Sequence, residues 1–90
     1  MSNLQMPRNH IVSTLFDDGD GVLVDLNTKR YYQLNESAMV VWTGLEKGHA
    51  IPEIVSEITS TYEVSPEHAV ESVQRILRDF EANNLLRAEP

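Results

Sequence analysis

No cysteine occurs among the 90 residues. Disulfides and thiolate metal sites are therefore excluded as staples of the fold, and stability must come from packed layers. Basic residues are scarce, with 7 against 14 acids and a formal charge of −7. Such a surface repels nucleic acid and anionic membranes. No apolar run approaches the length of a membrane span. The first ten residues, MSNLQMPRNH, lack the apolar block of a secretory signal, which makes the cytoplasm the expected location.

Chemistry-bearing motifs are equally sparse. His10, His49 and His68 lie far apart, and none pairs with another at metal-ligand spacing. The acidic turn DDGDG fails as a calcium loop. With Gly21 as the sixth residue, Phe16 takes the first ligand position and Asn27 the twelfth, and neither can serve. No Ser, His and Asp grouping and no glycine-rich phosphate loop is visible. The residues point to no enzyme and no cofactor.

What remains is a single small domain covering 1–90, with its core at about residues 10–86. A β half precedes an α half. His10 to Phe16 reads as a strand, Gly21 to Leu26 as a second, and Arg30 to Leu34 as a third. Gly19 and Gly21 can supply positive φ in the first turn. The short connections make an antiparallel meander.

Three helices follow. Asn35 caps the first, over Glu36 to Glu46, and Gly48 stops it. The second spans Ile51 to Thr61, with Pro52 in its first turn. The third starts with Ser65 as N-cap and Pro66 at N1, and Asn83 or Asn84 ends it. Leu85 and Leu86 are expected to fold back onto the core. The fold class is α+β: a winged-helix-like arrangement of a three-stranded antiparallel meander followed by three α-helices.

A winged-helix DNA-binding regulator is the rival reading. Its third helix would enter the major groove and should present basic or amide side chains. The exposed positions here are Glu67, Glu71, Gln74, Arg75, Arg78, Asp79 and Glu81, with four acids against two bases. Each acid would face phosphate.

The stretch GVLVDLNTKRYYQLNESAMVVWTGLEKG resembles the signature of the coenzyme PQQ synthesis protein D family. Tyr31-Tyr32-Gln33-Leu34-Asn35 is its most specific element, and Trp42 supplies the bulky aromatic of the next helix. The resemblance extends over roughly residues 12 to 86. It departs at Ser72, where the family often has aspartate, and at Asn84, where the third helix usually ends in glycine.

The resemblance implies a non-catalytic recognition element. Such a protein binds the leader segment of a ribosomally made precursor peptide and presents it to a modifying enzyme, often a radical SAM enzyme. The leader adds as an extra strand beside the third strand, with the third helix as the other wall. Arg30, Tyr31, Tyr32, Gln33 and Leu34 are then the expected docking strand. Tyr32 and Leu34 should face the core, and Tyr31 and Gln33 the solvent. On the third helix, Ala69, Val73, Ile76 and Phe80 centre the buried stripe. Of its two flanks, the one bearing Val70, Gln74, Leu77 and Arg78 is the expected groove wall, because apolar and polar residues mix there. The flank of Ser72, Asp79 and Asn83 is the alternative. A monomer or weak homodimer is expected, with no nucleic-acid or membrane partner.

Overall fold

The computed structural model describes residues 5–88. Five strands and three helices follow in order: β1 Gln5–Pro7, β2 Ile11–Leu15, β3 Gly21–Asp25, β4 Arg30–Leu34, α1 Glu36–Glu46, α2 Ile51–Tyr62, α3 Pro66–Ala82 and β5 Leu86–Ala88. The antiparallel meander is present as β2-β3-β4, with β4 on one edge. A second, two-stranded antiparallel sheet joins β1 to β5, pairing Met6 with Arg87. It was not expected, and it makes Leu86 part of a strand. Leu85 and Leu86 are buried, as expected of a tail returning to the core.

Local chemistry accounts for the boundaries. The Asn35 side chain accepts from the Ala38 N–H at 2.9 Å, so strand β4 runs into α1 with one residue between them. The Ser65 hydroxyl accepts from the His68 N–H at 3.2 Å at the start of α3. The Glu53 carboxylate accepts from the Ala50 N–H at 2.9 Å and ties down the start of α2. Gly48 (φ 80°) and Asn84 (φ 57°) take the left-handed conformation just beyond α1 and α3. The β2–β3 turn corrects one expectation. Gly19 alone has positive φ there. Gly21 is needed for space instead, since a Cβ would come within 2.6 Å of the Thr14 carbonyl oxygen.

One face of the meander packs on the helices. Leu23, Val41, Trp42, Leu45, Ile54, Val73 and Leu85 are the largest fully buried side chains. The other face carries no second layer among the described residues. Val12, Val24 and Tyr31 stand in register across it, with Val12 and Tyr31 exposed. Among the described residues no helix is long and apolar enough to cross a membrane.

Candidate peptide-binding edge

The third strand of the meander owes its position to the turn before it. The Asp25 carboxylate accepts from the N–H groups of Asn27 (2.8 Å) and Thr28 (3.1 Å). The Lys29 N–H donates to the Asp25 carbonyl at 2.7 Å, with Lys29 at φ 65°. The Thr28 hydrogen bond is the largest influence holding the Asp25 carboxyl below its ordinary range. Burial opposes it, while Asn27 and the neighbouring His10 reinforce it. His10 Nε2 lies 3.6 Å from the same carboxylate. This turn sets the register in which Arg30 faces Asp25 and Leu34 faces Gly21.

Side chains alternate along β4 as expected. Tyr32 and Leu34 are half-buried against the core, while Tyr31 is 73% exposed and Gln33 is exposed. The backbone alternates too, and two bonds of the neighbouring ladder fix its phase. The Phe16 N–H donates to the Asp20 carbonyl at 2.8 Å, and the Leu26 N–H to the His10 carbonyl at 3.0 Å. In an antiparallel ladder every second residue bonds to the same side. Val22 and Val24 therefore turn their backbone groups to β2, and Gly21, Leu23 and Asp25 turn theirs to β4. Arg30, Tyr32 and Leu34 bond inward to β3. The N–H and C=O groups of Tyr31 and Gln33 point outward, where no strand pairs with β4 among the described residues.

A groove of about 320 Å³ runs beside this edge. Tyr32, Gln33 and Leu34 form one side, and Arg75, Asp79 and Asn83 of α3 the other. The buried side chains of Ala38, Ile76 and Phe80 make its floor. Phe80 meets Trp42 edge to face at 5.4 Å between ring centroids, so the floor is backed by the core. Past Leu34 the surface continues into a depression lined by Asn35, Glu36, Ser37, Tyr62, His68 and Ser72. Burial, and then Glu36, push the Tyr62 phenol above its ordinary pKa there.

The residues expected as the helical wall lie elsewhere on α3. Val70 and Gln74 lie with Val73 against Ile51, Pro52 and Val55, in a separate depression between α2 and α3. Leu77 packs half-buried against the core. Arg78 sits on the outer surface with His68, Glu71 and Arg75. None of these four lines the groove beside β4. The helix turns its other flank to the strand because α2 covers the Val70 side. Asp79 and Asn83 belong to the alternative flank, and Arg75 joins them beside β4. Their signal was present, since polar residues repeating at i, i+4 and i+8 beside a buried stripe mark a rim. Of the expected strand residues, Tyr32, Gln33 and Leu34 line the groove, while Arg30 and Tyr31 flank it as exposed residues. Among the described residues no three His, Asp or Glu side chains converge to hold a metal ion.

The family described as coenzyme PQQ synthesis protein D (PqqD) matches residues 20–86. Among solved structures, TbiB1 in complex with the TbiA(beta) leader peptide superposes with a TM-score of 0.85 at 27% identity, covering 94% of this chain and 98% of that one. A lasso peptide synthetase B1 complexed with the leader peptide gives 0.82 at 26% identity, covering 93% and 98%. No curated protein matches the chain.

Proposed function

This chain belongs to the coenzyme PQQ synthesis protein D family, and from that membership and the open edge of β4 we propose that it is a non-catalytic peptide-binding adaptor. It takes the leader segment of a ribosomally made precursor as an added strand and presents it to a modifying enzyme. The observation that carries this reading is the outward backbone of Tyr31 and Gln33 beside an apolar-floored groove. Edge strands are normally blunted against pairing. One left open next to a groove suits main-chain capture of an extended peptide, with side-chain pockets for selectivity. Two solved structures of similar fold, named as leader-peptide complexes, support the same partner class.

Energetics favour a carrier over a tight trap. Two outward residues offer four hydrogen-bonding groups, each bond worth about 0.5–1.5 kcal/mol net. Ordering a disordered peptide costs about 2–5 kcal/mol, which consumes most of that gain. Binding therefore depends on one or two leader side chains over Ala38, Ile76 and Phe80, at about 1.5–3 kcal/mol each.

An NMR titration with a leader peptide from a neighbouring short reading frame tests the reading. Shifts should cluster at residues 30–35 and at Arg75, Asp79 and Asn83. Perturbations confined to the Val70–Gln74 side, or scattered over the surface, would reject it. A gel shift at low salt should show no retardation of duplex DNA, since the exposed positions of α3 carry four acids against two bases.

A further inference from the structure

The groove has a direction. The tail of β4 and the start of α1 share a depression with His68 and Ser72, near the beginning of α3. Tyr32 and Leu34 share the main groove with Arg75, Asp79 and Asn83 further along it. The helix therefore runs antiparallel to β4, with Arg75 nearer Leu34 and Asp79 nearer Tyr32. A guest strand that exchanges both bonds with Tyr31 and with Gln33 is antiparallel to β4, the more stable sense. It consequently runs in the same direction as α3. Cross-strand partners point to one face, so guest residues opposite Tyr31 and Gln33 face solvent. Those opposite Leu34 and Tyr32 face α3.

Spacing then matters. Arg75 and Asp79 are four residues apart on a helix, about 6 Å along its axis. Guest residues opposite Leu34 and Tyr32 are two apart on a strand, about 6.6–6.8 Å. The two repeats match. Both charges are exposed, and among the described residues neither belongs to an ion pair. Their order explains this in part: an acid preceding a base at this spacing is the better arrangement, and here the base comes first.

Resting on the strand-addition reading, we propose that the guest peptide carries an acidic side chain facing Arg75 and, two positions towards its C-terminus, a basic side chain facing Asp79. The substrate class is an acid–x–base segment in an extended leader. The aliphatic stems of these long side chains lie over Ile76 and Phe80, with their charged heads at the rim. Such a pattern fixes register and orientation, which backbone hydrogen bonds alone do not.

The test uses three synthetic twelve-residue peptides with valine at the other groove-facing positions. One carries Glu–x–Arg, one Arg–x–Glu and one Gln–x–Gln. Calorimetry on the intact protein should find the first about tenfold tighter than the second, with the neutral peptide between. The double variant Arg75→Glu, Asp79→Arg should invert that order. Because it places the acid first, it should keep the helix folded, which circular dichroism checks. Equal affinities overturn this inference and leave strand addition standing. So does a preference that survives the charge swap. A preference for Arg–x–Glu overturns the antiparallel orientation and the proposal with it. If no peptide binds, strand addition itself fails.

Discussion

Phe80 and Trp42 meet edge to face, with ring centroids 5.4 Å apart and planes 88° to one another. Phe80 belongs to the groove floor, and Trp42 is wholly buried between the sheet and the helices. The contact joins the site to the core, so a change at the floor is felt in stability.

Phe80→Ala should therefore cost about 3–5 kcal/mol of stability, within the range for a buried phenylalanine. Against the marginal stability of a small domain, that change is close to unfolding. Phe80→Leu is the useful variant. It keeps an apolar floor, loses the ring contact, and should cost about 1–2 kcal/mol. Urea melts followed by Trp42 fluorescence would measure both. If Phe80→Leu left the Trp42 spectrum and the midpoint unchanged, the coupling of floor and core would be refuted.

The backbone phase along β4 gives a sharper contrast. Gln33 turns its N–H outward, and Tyr32 turns its N–H to Leu23. Proline is tolerated on an edge strand where the lost N–H faces solvent. Gln33→Pro should fold, with stability within about 1 kcal/mol of the parent, and should weaken leader binding severalfold by deleting one outward donor. Tyr32→Pro removes a ladder bond and should destabilise the protein clearly more than Gln33→Pro. Thermal melts alongside calorimetry compare the two. Equal destabilisation by both substitutions would show that the phase is misassigned.

Much of the fold is legible in the sequence. The caps at Asn35 and Ser65, the strand Arg30 to Leu34 and the left-handed Asn84 are local chemistry, and local chemistry is readable from sequence. The β1–β5 pair escaped because three-residue strands carry no periodicity, and their partners lie at opposite ends of the chain. Which flank of α3 lies beside β4 is hidden from sequence for a related reason. An amphipathic stripe has two flanks, and the periodicity of α3 does not say which one α2 covers. That choice belongs to tertiary packing. Val70 lies with Ile51, Pro52 and Val55, which leaves Arg75, Asp79 and Asn83 beside β4.

The two flanks can be separated by mutation. Val70 is 38% exposed beside α2. Val70→Ala should cost at most about 1 kcal/mol and leave leader affinity within twofold. Gln74→Ala should be silent in both measurements. Asn83→Ala, on the groove rim one helical turn beyond Asp79, should lower affinity with little effect on the melting temperature. Loss of binding at Val70 or Gln74 without loss at Asn83 would return the wall to the other flank.

The turn before β4 should make stability depend on acid. The Asp25 carboxyl is held below its ordinary value of about 3.9, first by the Thr28 N–H. A group whose pKa is depressed on folding binds its proton more readily when unfolded. Its contribution is complete above about pH 4 and is lost as the pH falls through the lower folded value. Urea midpoints should thus be level near neutrality and decline below pH 4. Asp25→Asn should flatten that decline, because its side-chain oxygen still accepts from Asn27 and Thr28 while nothing there titrates. Other carboxylates contribute to the parent curve, so the difference between the two proteins is the measurement. Since the same turn fixes the register of Tyr31 and Gln33, peptide affinity should fall over the same pH interval in the parent and less in the variant. Parallel curves for the two proteins would remove Asp25 from the account of how the docking edge is held.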